Sequence, residues 1–250
     1  MNDQKKTAKY FIGWDVGAWN CDRNPRSRDA IVILDSQLAV VGTPWRANLR
    51  TAICEATTAT EWVRKLFELC DADFPLEACT VTIAIDTPLG FSEAFISLAS
   101  SLQPCAESIG ESHTNRYLFR HTERFLFQKG LTPMSALKDM IGSQATKGMH
   151  VLARFANQST ACGVWTDGAL LTAIEAYPAA CKGSAIIREL RNHAPLGHED
   201  KEDALTCALV AYLYSCKPET LVPPCDQTPP KEGWIWFPKD VLPLDEDWHA

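Results

Sequence analysis

A chain of 250 residues, 46% hydrophobic and 22% charged, is long enough for one large α/β domain or two small ones and has the composition of a globular protein. No apolar run reaches the length of a membrane span, and Met1 to Lys9 lack the apolar core of a signal peptide, so a cytoplasmic protein with no membrane partner is expected. The net charge of −7 is the wrong sign for a protein that coats nucleic acid, although residues 116–154 hold seven Lys/Arg against two acids, a local +5 that leaves −12 for the rest.

Lys9 to Val16 reads as a first strand ending near Asp15. Ala30–Leu34 and Leu38–Val41 are short apolar runs around Asp35-Ser36-Gln37 and predict a hairpin, which gives the sheet an antiparallel start. Trp62, Val63, Leu66, Phe67 and Leu69 have helical spacing over residues 58–69, with Thr60 as N-cap and Glu61 in the first turn. Thr80 to Ile85 is a β-branched strand stopped by Thr87-Pro88-Leu89-Gly90, and strand–helix–strand implies a right-handed crossover and a parallel pair. Ser92–Leu102 reads as a helix, Gln103–Thr114 as a loop, Arg116–Gln128 as an amphipathic helix, and Pro133–Asn157 as a longer helix interrupted at Gly142 and Gly148. Cys162–Glu175 returns to strand chemistry with a turn at Asp167-Gly168, and Ala179–Arg191 and Asp203–Cys216 predict two helices. Beyond Lys217, Pro223-Pro224, Pro229-Pro230, Pro238 and Pro243 with Trp234, Trp236 and Trp248 predict an extended arm, residues 217–250, packed by its aromatic side chains on the domain formed by residues 1–216.

The ten cysteines are scattered singly, with no Cys-x-x-Cys pair, and read as reduced thiols, many in apolar surroundings, rather than a zinc site or disulfide framework. The carboxylates are more informative. Asp15, Asp86 and Glu175 lie inside or at the end of strand-length apolar runs, and Asp203 opens an Ala-rich helix. A charge is costly to bury unless it is paired or binds a metal, so the four point to divalent-cation binding. Each has a plainer alternative: a strand-end turn for Asp15, an Asx turn before Pro88 for Asp86, the helix dipole for Asp203, and a buried salt bridge for Glu175. Asp200 and Glu202 compete with Asp203 for the ligand role. Arg116, Arg120 and Arg124 stand at i, i+4, i+8, one helical face suited to phosphate, and Lys138 and Lys147 extend it; ordinary surface pairing is the alternative. His113, His121, His150, His193 and His198 are acid/base candidates, His198 foremost because it precedes Glu199-Asp200, with a loop role as the alternative for each. The chain contains neither a Gly-x-Ser-x-Gly elbow nor a Gly-x-x-x-x-Gly-Lys-Ser/Thr loop.

The order of elements, with acids at the end of the first strand, the end of a later parallel strand and a late helix, resembles the ribonuclease-H-like fold. Gly13-Trp14-Asp15-Val16-Gly17, Ala84-Ile85-Asp86-Thr87-Pro88-Leu89-Gly90, Arg120-His121-Thr122-Glu123-Arg124, Glu175-Ala176-Tyr177-Pro178 and Asp200-Lys201-Glu202-Asp203-Ala204-Leu205 are similar to the domain-of-unknown-function 429 family, over residues 9–216. The resemblance implies an α/β, ribonuclease-H-like mixed sheet flanked by helices. It also implies a metal-dependent nuclease in which Asp15, Asp86 and Asp203 hold Mg²⁺ or Mn²⁺, Glu175 assists, and Arg116, Arg120, Arg124, Lys138 and Lys147 bind DNA or RNA. Two other functions compete. Actin-like ATPases and sugar kinases share the sheet, and Asp15-Val16-Gly17 resembles their first phosphate loop, but the chain has no Gly-Gly dipeptide and one copy of the fold. A non-catalytic binding module would leave the four acids unexplained.

Overall fold

The computed structural model describes residues 7–243, so Trp248 lies outside the described residues. Its strands are β1 (Ala8–Asp15), β2 (Asp29–Leu34), β3 (Trp45–Ala47), β4 (Cys79–Asp86), β5 (Gln158–Ala161), β6 (Val164–Thr166), β7 (Leu171–Ala176) and β8 (Ile235–Trp236). Its helices are α1 (Arg50–Glu55), α2 (Ala59–Leu69), α3 (Glu93–Ser101), α4 (His121–Gln128), α5 (Gly142–Phe155), α6 (Pro178–Cys181), α7 (Ala185–Leu190) and α8 (Glu199–Cys216). The eight strands form one mixed sheet in the order β3-β2-β1-β4-β7-β6-β5, with β8 also against β7. β1, β4 and β7 run parallel at its centre; β2 and β3 on one side, and β6 and β5 on the other, are antiparallel.

The central strands read as unbroken apolar runs because helices cover both faces. Phe11, Ala84, Ile174 and Ala176 pack under α8 in one core layer, whereas Ile12, Trp14, Ile83 and Ile85 pack under α2 and α5 in the other. α8 lies almost on the strands. A Cβ on Gly13 would fall 1.8 Å from the Ala204 carbonyl oxygen, so only glycine lets the helix backbone come this close to β1.

Several boundaries differ from the sequence reading. Residues 38–41 are not a strand: the turn closes through the Asp35 N–H to the Ala39 carbonyl, Leu34 bridges Val40, and Gly42 at φ +70° turns the chain away. β3 forms further on and pairs with Asp29–Ile31. The N-cap of α2 is Thr58, whose hydroxyl accepts the Glu61 N–H, in place of Thr60. Helix α5 starts at Gly142 and runs through Gly148, while α6 and α7 are separated near Gly183 and restarted by the Ser184 cap. The arm does pack by its aromatic rings, with Trp234 and Phe237 fully buried and the Trp234 indole N–H donated to the Val222 carbonyl. It also adds β8 to the sheet. Among the described residues no helix is long and apolar enough to cross a membrane.

Candidate functional site

β1 and β4 end side by side, and Asp15 and Asp86 are register partners. Partners in a parallel pair project from the same face, here the one that carries α8. The two acids line a cavity of about 240 Å³ together with Glu175, Thr87, Gln144, Tyr177 and apolar residues such as Met134 and Ile235. Neither carboxylate forms a hydrogen bond or ion pair with a described residue. Burial pushes Asp15 well above the usual carboxylate range and the Asp86 charge pushes it further; burial and then the Asp203 charge do the same to Asp86. Next to them, Thr87 packs its methyl group toward Gly148, and its buried hydroxyl has no partner among the described residues.

Asp203 is near enough for its charge to act on both acids but does not line this cavity. Helix α8 begins at Glu199, a turn earlier than expected, with the His198 ring accepting the Asp200 N–H as its N-cap. That capping is the role the structure gives His198. Asp203 is therefore the fifth helical residue and shares with Glu199 and Thr206 a separate cavity of about 380 Å³ against α6 and α7. Burial, and next the Glu199 charge, raise its carboxyl. Its competitor Asp200 is engaged elsewhere, accepting the Arg28 N–H at 2.9 Å and the Arg46 Nε at 2.7 Å.

Glu175 borders the same cavity and is held in a buried salt bridge. It is the register partner of Ile85, one residue short of Asp86, so its side chain projects from the opposite face. Its carboxylate accepts Arg120 Nη1 at 2.8 Å, Arg120 Nη2 at 2.6 Å and the Leu89 N–H at 2.9 Å. Arg120 also donates to Glu123 at 2.9 Å and to the Glu232 carbonyl at 3.0 Å. Burial works against the guanidinium charge, but the two carboxylates outweigh it and hold Arg120 above its ordinary value.

The expected basic face does not form. Helix α4 starts at His121, Arg120 is its extended N-cap, and Arg116 lies in the preceding loop, so the i, i+4, i+8 spacing spans no common helix. Arg116 pairs with Glu107 at 3.0 Å and Lys138 with Asp139 at 3.0 Å, both at the surface. Lys147 is fully buried and ion-paired with Asp29, which also accepts the Trp14 indole N–H and the Gly17 and Leu49 amides. That pair fixes the chain just after Asp15, a role for Asp29 that only its place ahead of the apolar run Ala30–Leu34 signalled. Gln144 and Thr87 were missed as cavity residues; for Gln144 the sequence offers no signal.

Two carboxylates and a nearby hydroxyl are hard oxygen donors, and Mg²⁺ takes one or two carboxylates while keeping several waters. Asp15 and Asp86 fit a cation held in that way. The three-carboxylate ligand set is not assembled: among the described residues no group of three or more His, Cys, Asp or Glu side chains is placed to hold a metal ion. No family model, no curated protein and no solved structure matches the chain.

Proposed function

We propose that the protein is a divalent-metal-dependent phosphodiesterase, a nuclease built on a ribonuclease-H-like sheet. The observation that carries the reading is the pair Asp15–Asp86: adjacent carboxylates, at the carboxyl ends of central parallel strands, without an ion-pair partner among the described residues. The antiparallel β3-β2-β1 followed by the parallel β1-β4-β7 supports it, because that order and those directions resemble the ribonuclease-H arrangement. Ligands in open α/β sheets collect outside the carboxyl ends of the strands, where this cavity lies.

Asp15 and Asp86 would hold Mg²⁺ or Mn²⁺, which supplies charge to a phosphoryl oxygen and eases deprotonation of water. Gln144 and Thr87 offer hydrogen bonds to a phosphate ester, and Met134 and Ile235 restrict water at the cavity wall. Arg120 and Lys147 are committed to buried carboxylates and leave the substrate charge to the cation. Activity is therefore expected to depend strictly on a divalent ion. The test is incubation of the protein with single- and double-stranded DNA and RNA in Mg²⁺ or Mn²⁺, beside Asp15→Asn and Asp86→Asn. Cleavage by the parent that both variants and EDTA abolish is expected. Turnover of Mg·ATP without cleavage of any nucleic acid, or undiminished cleavage by Asp86→Asn, overturns the proposal.

A further inference from the structure

A second cavity, of about 510 Å³, is bordered by residues 113–116, α4 and residues 227–229. Arg116, Arg124, His113, His121, Gln128 and Gln227 line it, and no carboxylate is among its lining residues. Arg124 decides its chemistry. The side chain is half-buried yet forms no hydrogen bond or ion pair with a described residue. Burial, and after it the Arg116 charge, push its guanidinium below the ordinary value, whereas Arg120 at the start of the same helix is held above it by its carboxylates.

The described acids nearest Arg124 are engaged elsewhere. Glu123 receives Arg120 at 2.9 Å, Glu107 receives Arg116 at 3.0 Å, and Glu232 accepts the Glu93 and His121 N–H groups at 2.8 and 2.5 Å. Arg116 and Arg124 also border a cavity of about 260 Å³ that carries Glu93, Glu107 and Glu232, so an anion is favoured only on the acid-free side. Two converging guanidiniums, one partly desolvated and unpaired, are costly in the absence of an anion and are suited to gripping phosphate in a forked geometry. The Arg116–Glu107 pair is half-exposed and hence weak, so a phosphate can compete for Arg116.

We propose that this cavity binds a phosphate monoester of nucleotide size. Arg124 and Arg116 hold the phosphate, and the organic portion lies beside the Gln128 and Gln227 amides of the same wall. The volume is in the range of small-molecule pockets. This site is independent of the Asp15–Asp86 chemistry.

The test is calorimetric titration of the full chain with AMP, inorganic phosphate and adenosine in EDTA, which removes any cation-mediated binding at the carboxylate pair. AMP and phosphate are expected to bind and adenosine is not. Arg124→Gln is expected to weaken AMP about tenfold or more, the scale of one charge-assisted contact. Arg116→Gln, at an exposed position that the fold tolerates, is expected to weaken it in the same direction. Failure of the parent to bind AMP, equal binding of adenosine, or unchanged AMP affinity in both folded variants overturns the proposal.

Discussion

The acids around the carboxyl ends of the central strands differ in what compensates them. Asp29 has Lys147, Asp200 has Arg46 and Glu175 has Arg120, while Asp15 and Asp86 have each other's negative charge. Two expectations follow from that contrast. In metal-free buffer Asp86→Asn removes a like-charge repulsion and should stabilise the fold by about 0.5–2 kcal/mol, the usual range for relieving unfavourable charge, while abolishing the proposed cleavage. Urea denaturation with EDTA present reads the first effect. Arg120→Met does the reverse, stranding Glu123 and Glu175 in the interior at a cost of about 3–5 kcal/mol, measurable in the same experiment. The strand-end context of Asp15, Asp86 and Glu175 was legible in the sequence; their compensation was not. Arg120 meets Glu175 across 55 positions and Lys147 meets Asp29 across 118, distances over which no local pattern operates. The arginine spacing misled for a related reason. It presumes a helix through Arg120, whose extended backbone instead lets the Glu123 carboxylate accept its N–H at the helix start.

At the scale of elements, the position of α8 governs the site. Gly13 admits the helix backbone against β1, and Ala204 and Ala208 are the residues it meets. Gly13→Ala leaves Asp15 and Asp86 in sequence but forces α8 outward, and overpacking of this kind typically costs about 1–3 kcal/mol. Faster hydrogen exchange of the α8 amides, with a lower melting temperature, is the expected result; unchanged exchange would show that β1 yields in place of the helix. Long elements with strong periodicity, β1, β4, α2 and the body of α8, were readable. The start of α8 was misplaced because Glu199 to Glu202 are polar and histidine is an uncommon cap. The hairpin was misplaced because Leu38–Val41 has the composition of a strand but Gly42 turns it out of the sheet before a second bridge forms.

For the whole molecule, the proposed cation should act as a ligand of the folded state alone. Mg²⁺ or Mn²⁺ at a hundredfold excess over its Kd would add about 2.7 kcal/mol. Thermal melts with and without EDTA should show that increment in the parent and lose it in Asp15→Asn and Asp86→Asn. The arm is bonded into the rest of the fold. Glu232 accepts the N–H groups that open α3 and α4, its carbonyl accepts Arg120, and β8 covers the edge of β7 beside Glu175. A chain ended at Cys216 loses Trp234 from the core, where one such deletion costs about 3–5 kcal/mol, and should elute as an aggregate in size-exclusion chromatography.

The place of Ile235 has a bearing on how the protein is made. Translation delivers the chain from its N-terminus, and domains fold as their residues emerge. Asp15 and Asp86 leave the ribosome well before Ile235, which is the register partner of Glu175 and part of the wall around the acid pair. The cavity around the acid pair thus stays open on one side of a nascent chain until Ile235 has emerged. If the proposed activity on nucleic acid holds, a chain folding in this order would withhold it from the messenger and ribosomal RNA around it until that wall is in place.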